Sequence, residues 1–371
     1  MVRARQQGVT LVELLVSITI GLFIIGAVLY VYLGSRGAYR TSKSTSRTQE
    51  AGRFGLDAIL HDVRQAGYIG CGSRISLSSR VVGSTAPIQI SQIASPALGS
   101  DLTTALNFTD SSMAVVGYST SDYKASGTTG WPLATTVTPN WLAGDVLVIR
   151  TAISSPVQMA QNPNAANPSI YLENNCAGVT TGDYLMVSSC SAATILRVSN
   201  APPASCPAGA GGVQIDHGSP NNITANPSQT VASAFPVQNL PTVVPFDEVT
   251  YYVGKVNGRW PALYRYSMKA GASEEVIDHV ENMSVYYGVL SGGATPTVSY
   301  YKATDVPGAG GWASVMNIRV QLLTAGDELN AVQTPQTINF GAPAAAEALP
   351  MPDTRYRQLF TATASLRDRL Q

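Results

Sequence analysis

The chain has 371 residues, enough to bury at least one large core, and its 23 basic and 23 acidic residues cancel. A balanced charge argues against electrostatic binding of nucleic acid. Charged residues make up only 12% of the sequence, about half the usual ~25%; Ser, Thr, Asn, Gly and Pro take their place, the texture of a loop-rich exported β protein.

The first element is QQGVTLVELLVSITIGLFIIGAV, residues 6–28. After Glu13 no charge occurs until Arg36, so Leu14 to Ser35 gives 22 uncharged positions. A bilayer-spanning helix needs about 20. The run is longer than the roughly 7–15 apolar residues of a cleaved secretory signal, and no small-x-small site follows it, so it reads as a retained span. Arg3 and Arg5 precede it and favour a cytoplasmic N-terminus, whereas Arg36, Arg40, Lys43 and Arg47 follow it. Glu13 is the anomaly. A carboxylate at the start of a span is a functional candidate whose partner has to be found.

The span is expected to continue as one long helix from about Thr10 to Ala66, roughly 85 Å at 1.5 Å per residue. Leu56, Ile59, Leu60 and Val63 recur at helical spacing, with Asp57, Asp62 and Arg64 assigned to other faces. Gly34, Gly37, Gly52 and Gly55 are weak points, each costing about 1 kcal/mol relative to Ala, where a bend or break would be no surprise. Gly67 and Gly70 are terminators.

Beyond Gly72 the period changes to two. Strands are predicted at 145–152, 183–189, 194–199, 248–254, 283–290, 298–303 and 316–324, with a last one in QLFTATASLRDRL. In that last strand Phe360, Ala362, Ala364 and Leu366 share a face. SEEVIDHVEN, residues 273–282, reads as a short helix capped by Ser273, with Val276, Ile277 and Val280 as its stripe and Glu274, Glu275 and Asp278 on a solvated face. Residues 153–175 and 200–246 read as long loops rich in Asn, Pro and Gly.

All four cysteines follow the span, which fits an oxidising compartment such as a bacterial periplasm. Four cysteines allow three connectivities. Cys176 and Cys206 lie almost equally far outside the predicted turn at 190–193, so a hairpin there brings them together. Cys176–Cys206 is the favoured pair, which leaves Cys71–Cys190.

Two resemblances add to this reading. The spacing in G-V-T-L-V-E followed by an apolar run resembles the processing site of type IV prepilins. The resemblance implies that a membrane peptidase cuts after Gly8 and that the new N-terminus, Val9, is N-methylated by the same prepilin peptidase/N-methyltransferase. It also implies that Glu13 pairs with the N-terminal amine of a neighbouring subunit. Val9 departs from the family's usual phenylalanine. The segments RTQEAGRFGLDAILHDVRQAGYIGCG and DTRYRQLFTATASLRDRL, at opposite ends of the chain, resemble the PilW family of type IV pilus minor pilins.

Catalytic patterns do not occur. His61, His217 and His279 are scattered without metal-like spacing and are expected at surface or loop positions. The GAGG runs at 209–212 and 308–311 lack a strand–loop–helix context and read as linkers. No calcium-loop pattern is visible.

The expectation is a non-enzyme without cofactor or metal, of α+β, type IV pilin-like fold. It divides into a leader (1–8), a transmembrane half-helix (9–35), an amphipathic half-helix (36–70) and a large β-rich head with long loops (71–371). Ser17 and Gly21 form a small-xxx-small pair that permits close helix packing. The resemblance implies as partners the inner membrane, other minor pilins, the major pilin and the pilus assembly platform. Two alternatives stay open: a minor pseudopilin of type II secretion, and a pilus-displayed adhesive module using the two loops.

Overall fold

The computed structural model describes residues 10–67, 114–120, 141–161, 169–188, 193–204, 206, 212–216, 240–290, 297–306, 311–341 and 347–366. Gly8, Val9, Cys71, Cys190 and His217 lie outside them, as do the GAGG runs except for Gly212 and Gly311.

Helix α1 runs from Leu11 to Gln65 without interruption. Thr10 caps it in extended conformation, and Ala66 ends it by returning to extended backbone and bridging Thr151. No break occurs at its glycines, and the single long helix expected from Thr10 to Ala66 is found. Buried positions recur at Ser44, Thr48, Ala51, Gly52, Gly55, Leu56, Ile59, Leu60, Asp62 and Val63, one stripe at helical period that lies on the head. The glycines within that stripe are held helical by the packing they make possible, which outweighs their poor propensity.

The head is antiparallel throughout its described strands. Its larger sheet is organised on β8 (Thr242–Gly254). One edge of β8 pairs with β3 (Val157–Gln158) and then β2 (Trp141–Ala152), which carries β1 (Val115–Tyr118) outside it. The other edge pairs with β5 (Tyr184–Ser188), followed outward by β6 (Ala193–Arg197), and with β9 (Ala262–Ser267), followed by β10 (Ala272–Asp278). A second sheet has the order β12–β11–β13–β16, with β11 at Val280–Leu290, β12 at Val298–Tyr301, β13 at Val315–Ala325 and β16 at Arg357–Ser365. Two small ladders complete the head: β4 (Ser169–Leu172) with β7 (Val213–Asp216), and β14 (Thr337–Phe340) with β15 (Glu347–Pro350).

The main core fills the space between the two sheets and α1. Leu56, Ile59, Leu60 and Val63 of the helix meet Leu147 and Ile149, Val249, Tyr251 and Val253, and Ile318, Val320 and Leu322. These strand positions are two apart, as one sheet face requires. Ala364 and Leu366 join them, with Phe360 and Ala362 partly buried alongside, so the alternation read in the last strand holds. A second core lies under β4–β7, built on Met159, Ile170, Leu172, Leu185, Val187, Leu196 and Ile215.

Three sequence readings are corrected here. Residues 273–282 are not a helix but β10 and the start of β11, separated by His279 in the left-handed region at φ 64°. A register shift between Glu275 and Ile277 breaks the alternation of β10, so Val276 and Ile277 both pack on the core and imitate a helical stripe. The stretches read as loops contribute β3, β4 and β7 and the start of β8. Finally, Asp62 belongs to the buried face of α1, not to an outer one.

Candidate assembly surface

At its N-terminus α1 satisfies its own donors. The Thr10 hydroxyl accepts from the Glu13 amide at 3.3 Å, while Glu13 Oε2 accepts from the Thr10 amide and hydroxyl, both at 2.9 Å. This is a capping box, at the very start of the apolar helix. Glu13 thus has an intrachain role that the sequence reading missed, although Thr-x-x-Glu is its recognised signature. Ser17 donates to the Glu13 carbonyl at 2.7 Å, and Gly21 has nothing within 4 Å of where a Cβ would stand.

From Leu11 to Tyr39 every residue except Gly21 is exposed. The exposed side chains are large and apolar; Phe23 is 82% and Tyr30 81% accessible. Among the described residues this is the one helix apolar and long enough to cross a membrane.

From Thr41 upward the same helix is seated. A Cβ on Gly52 would overlap the ring of Phe360, and one on Gly55 would lie 2.9 Å from Leu322 Cδ1. Asp62 Oδ2 accepts from the Tyr251 hydroxyl at 2.8 Å and from Arg265 Nε at 3.0 Å. Burial and the neighbouring Asp62 charge push the Tyr251 phenol well above its ordinary value. Burial works against the Arg265 charge, but Asp62 more than offsets it and the guanidinium is raised. The signal for this seat was present: Ser44, Thr48, Ala51, Gly52 and Gly55 are small residues on the stripe of Ile59, and Asp62 follows Ile59 by three.

At the lower edge of the head, Lys43 meets Asp327 at 3.3 Å and Glu328 at 3.6 Å, and Arg40 meets Glu328 at 3.8 Å. Burial tends to raise Asp327, but bonds from its own amide and from Lys43 prevail, and the carboxyl is lowered. Lys43 is raised, chiefly by its bond to Asp327.

A disulfide joins Cys176 and Cys206, with Cα atoms 4.8 Å apart. It sits midway in a nested set of pairs. Inside it Ser188 faces Ala193 and Tyr184 faces Arg197; outside it Leu172 faces Val213 and Ser169 faces Asp216.

Several described titratable groups away from the helix are held in ion pairs. Arg357 is bound by Glu281 at 2.7 and 3.1 Å and by Asp353 at 2.6 Å, and Arg150 by Glu248 at 2.8 Å. His61 is exposed on α1, 3.0 Å from Gln65. His279, expected at a surface or loop position, lies in the connection between β10 and β11 but is buried, stacked on Trp260 with centroids 4.9 Å apart. A cavity of about 530 Å³ beside the upper end of α1 is faced by Asp62, Asp183 and Asp247. All three are engaged, Asp183 by Thr180 and Lys269, Asp247 by Ser267 and the Lys269 amide. Among the described residues no group of His, Cys, Asp and Glu could hold a metal ion.

A long apolar helix, bare in its first half and seated on a β-rich head in its second, defines the α+β architecture of a type IV pilin-like subunit. Residues 3–29 match the prokaryotic N-terminal methylation motif, which covers the capping box and most of the apolar run. Residues 250–368 match the family of type IV pilus-assembly protein W, from the middle of β8 through β16. Over these two stretches the chain is similar to type IV pilus-assembly protein W and to proteins that carry the N-terminal methylation motif. No curated protein and no solved structure matches it.

Proposed function

We propose that this protein is a structural subunit in the priming or tip complex of a type IV pilus. The observation that carries this is the bare half of α1: an apolar surface of about 40 Å from Leu11 to Tyr39 that the described head leaves open. In the proposal the leader 1–8 is removed between Gly8 and Val9, and Val9 is methylated by prepilin peptidase. Residues 9–35 then anchor the subunit in the inner membrane, with the head in the periplasm. Assembly exchanges lipid around the bare half for the helices of other minor pilins and the major pilin, with Ser17 and Gly21 allowing close approach. Glu13 supplies the counter-charge for a neighbour's N-terminal amine.

The test separates the charge of Glu13 from its capping role. Glu13→Gln keeps a side-chain oxygen for Thr10 and removes the charge. It should be cut and inserted as usual, but its incorporation into sheared pili should fall severalfold. Normal incorporation would retire the charge pairing. Gly8→Arg should leave an uncut precursor in the membrane, and a mature N-terminus other than Val9 would sink the prepilin assignment.

A further inference from the structure

The chain leaving β13 descends α1 toward the apolar run, and its contacts keep step with the helix. Thr324 Oγ1 donates to the Thr48 carbonyl at 3.3 Å, Gly326 abuts Ser44, and Glu328 faces Arg40. Two residues of extended chain cover about 6.6 Å and four of helix about 6 Å, so the two run antiparallel in register. Leu329 follows Glu328 in the turn at the lower end of this stretch, before Ala331 turns back to accept from the Thr41 hydroxyl at 3.1 Å. Ser35, the last residue of the uncharged run, is only about 7.5 Å along the axis from Arg40, the partner of Glu328. A bilayer's headgroup layer is roughly 5–7 Å thick on each side.

The turn is firmly held. Asn330 is left-handed at φ 60°, its amide donates to Thr354 Oγ1 at 3.1 Å, and the Thr354 hydroxyl donates to Asn330 Oδ1 at 2.9 Å. Val332 donates to the Thr354 carbonyl at 3.1 Å. Yet its largest apolar side chain, Leu329, is 51% exposed. Beside it, Asp327 and Glu328 are neutralised by Lys43 and Arg40, which removes the charge that would repel an anionic surface. Arg36 is exposed as well, and Tyr30, Tyr32 and Tyr39 are exposed around the end of the apolar run, as interfacial aromatics are.

We infer that the turn 326–331 is a membrane-contact element: before assembly, Leu329 enters the phospholipid headgroup layer beside the span. The head therefore rests on the bilayer by one edge and faces one way about α1. The occupant is a phospholipid surface, continuous with the lipid around the apolar half. This rests on reading Leu14–Ser35 as a span, and the experiment keeps the two apart.

The full chain is reconstituted in vesicles of phosphatidylethanolamine and phosphatidylglycerol, part of the lipid being brominated high on its acyl chains. Three variants are compared with the parent: Leu329→Trp at the turn, Leu22→Trp in the span, and Leu290→Trp at the far end of β11. Added fluorescence should be quenched at 329 and at 22, unchanged at 290, and independent of the protein-to-lipid ratio. Quenching at 22 without quenching at 329 overturns the inference and leaves the span intact. No quenching at 22 overturns the span itself. A blue shift at 329 that needs high protein density and ignores brominated lipid means a second copy covers the turn, and the inference fails.

Discussion

The two halves of α1 are built from the same helix and even share a liking for glycine, but their glycines mean different things. Gly52 and Gly55 stand where Phe360 and Leu322 press against the helix, whereas Gly21, Gly26, Gly34 and Gly37 meet nothing within 4 Å. Each glycine costs a helix about 1 kcal/mol. In the seated half the return is visible as close packing within the chain. In the bare half no such packing is seen among the described residues. Stability of the head and competence to assemble should accordingly be separable by mutation.

The largest stability effect should come from Asp62→Ala. It strips the Tyr251 hydroxyl and Arg265 of their shared acceptor, and breaking such a pair costs about 3 kcal/mol, the low end for buried pairs because Arg265 is 28% accessible. Denaturant unfolding in detergent measures it; a loss under ~1 kcal/mol would mean the helix is seated by apolar packing alone. Next, Gly52→Val forces Phe360 aside and should cost about 2 kcal/mol, whereas Gly26→Val should leave head stability unchanged. Equal effects of the two would break the distinction between the halves. Phe360→Ala added to Gly52→Val should recover part of the loss.

The smallest effect belongs to the contacts at the boundary of the halves. Asp327 is lowered when folded, so its contribution is present above the ordinary carboxyl range near pH 4 and fades as pH falls through its lowered value. Lys43 is raised, so its contribution is present below its ordinary value near pH 10.4 and fades as pH rises through its raised one. Amide protection over 40–48, corrected for the pH dependence of intrinsic exchange, should be greatest between those limits and lower in high salt. A flat profile would mean that the Thr41 and Thr48 bonds alone hold the chain to the helix.

The apolar run, the single helix and most long strands were legible because each repeats one period over many residues. The Cys176–Cys206 bridge was legible because a hairpin is symmetric about its turn, and the symmetry reaches further than expected, out to Ser169 and Asp216. What failed had a local cause. The bulge beside Val276 and the left-handed His279 spoiled the alternation of two adjoining strands. The four-residue β4 and β7 are too short for a pattern to register, and they pair across the 40 positions between Leu172 and Val213. Asp62 was assigned outward from its charge, although its spacing from Ile59 put it inward. The match of Asp327 and Glu328 to Lys43 and Arg40 joins residues with no pattern linking them along the chain.

One alignment has a mechanical consequence. Gly55 lies against Leu322, Thr48 against Thr324, Ser44 against Gly326 and Arg40 against Glu328, so α1 and the chain of β13 run antiparallel for about 20 Å. Tension applied along α1 is therefore passed to the second sheet lengthwise. Antiparallel hydrogen bonds lie across the strands, so such a load shears them together rather than peeling them one after another. The β13–β16 ladder, in unbroken register from Asn317 and Ser365 to Ala325 and Arg357, is the longest uninterrupted one among the described residues to bear it. Its end at Arg357 is pinned by Glu281 of β11, which ties three strands together at the edge nearest the pull.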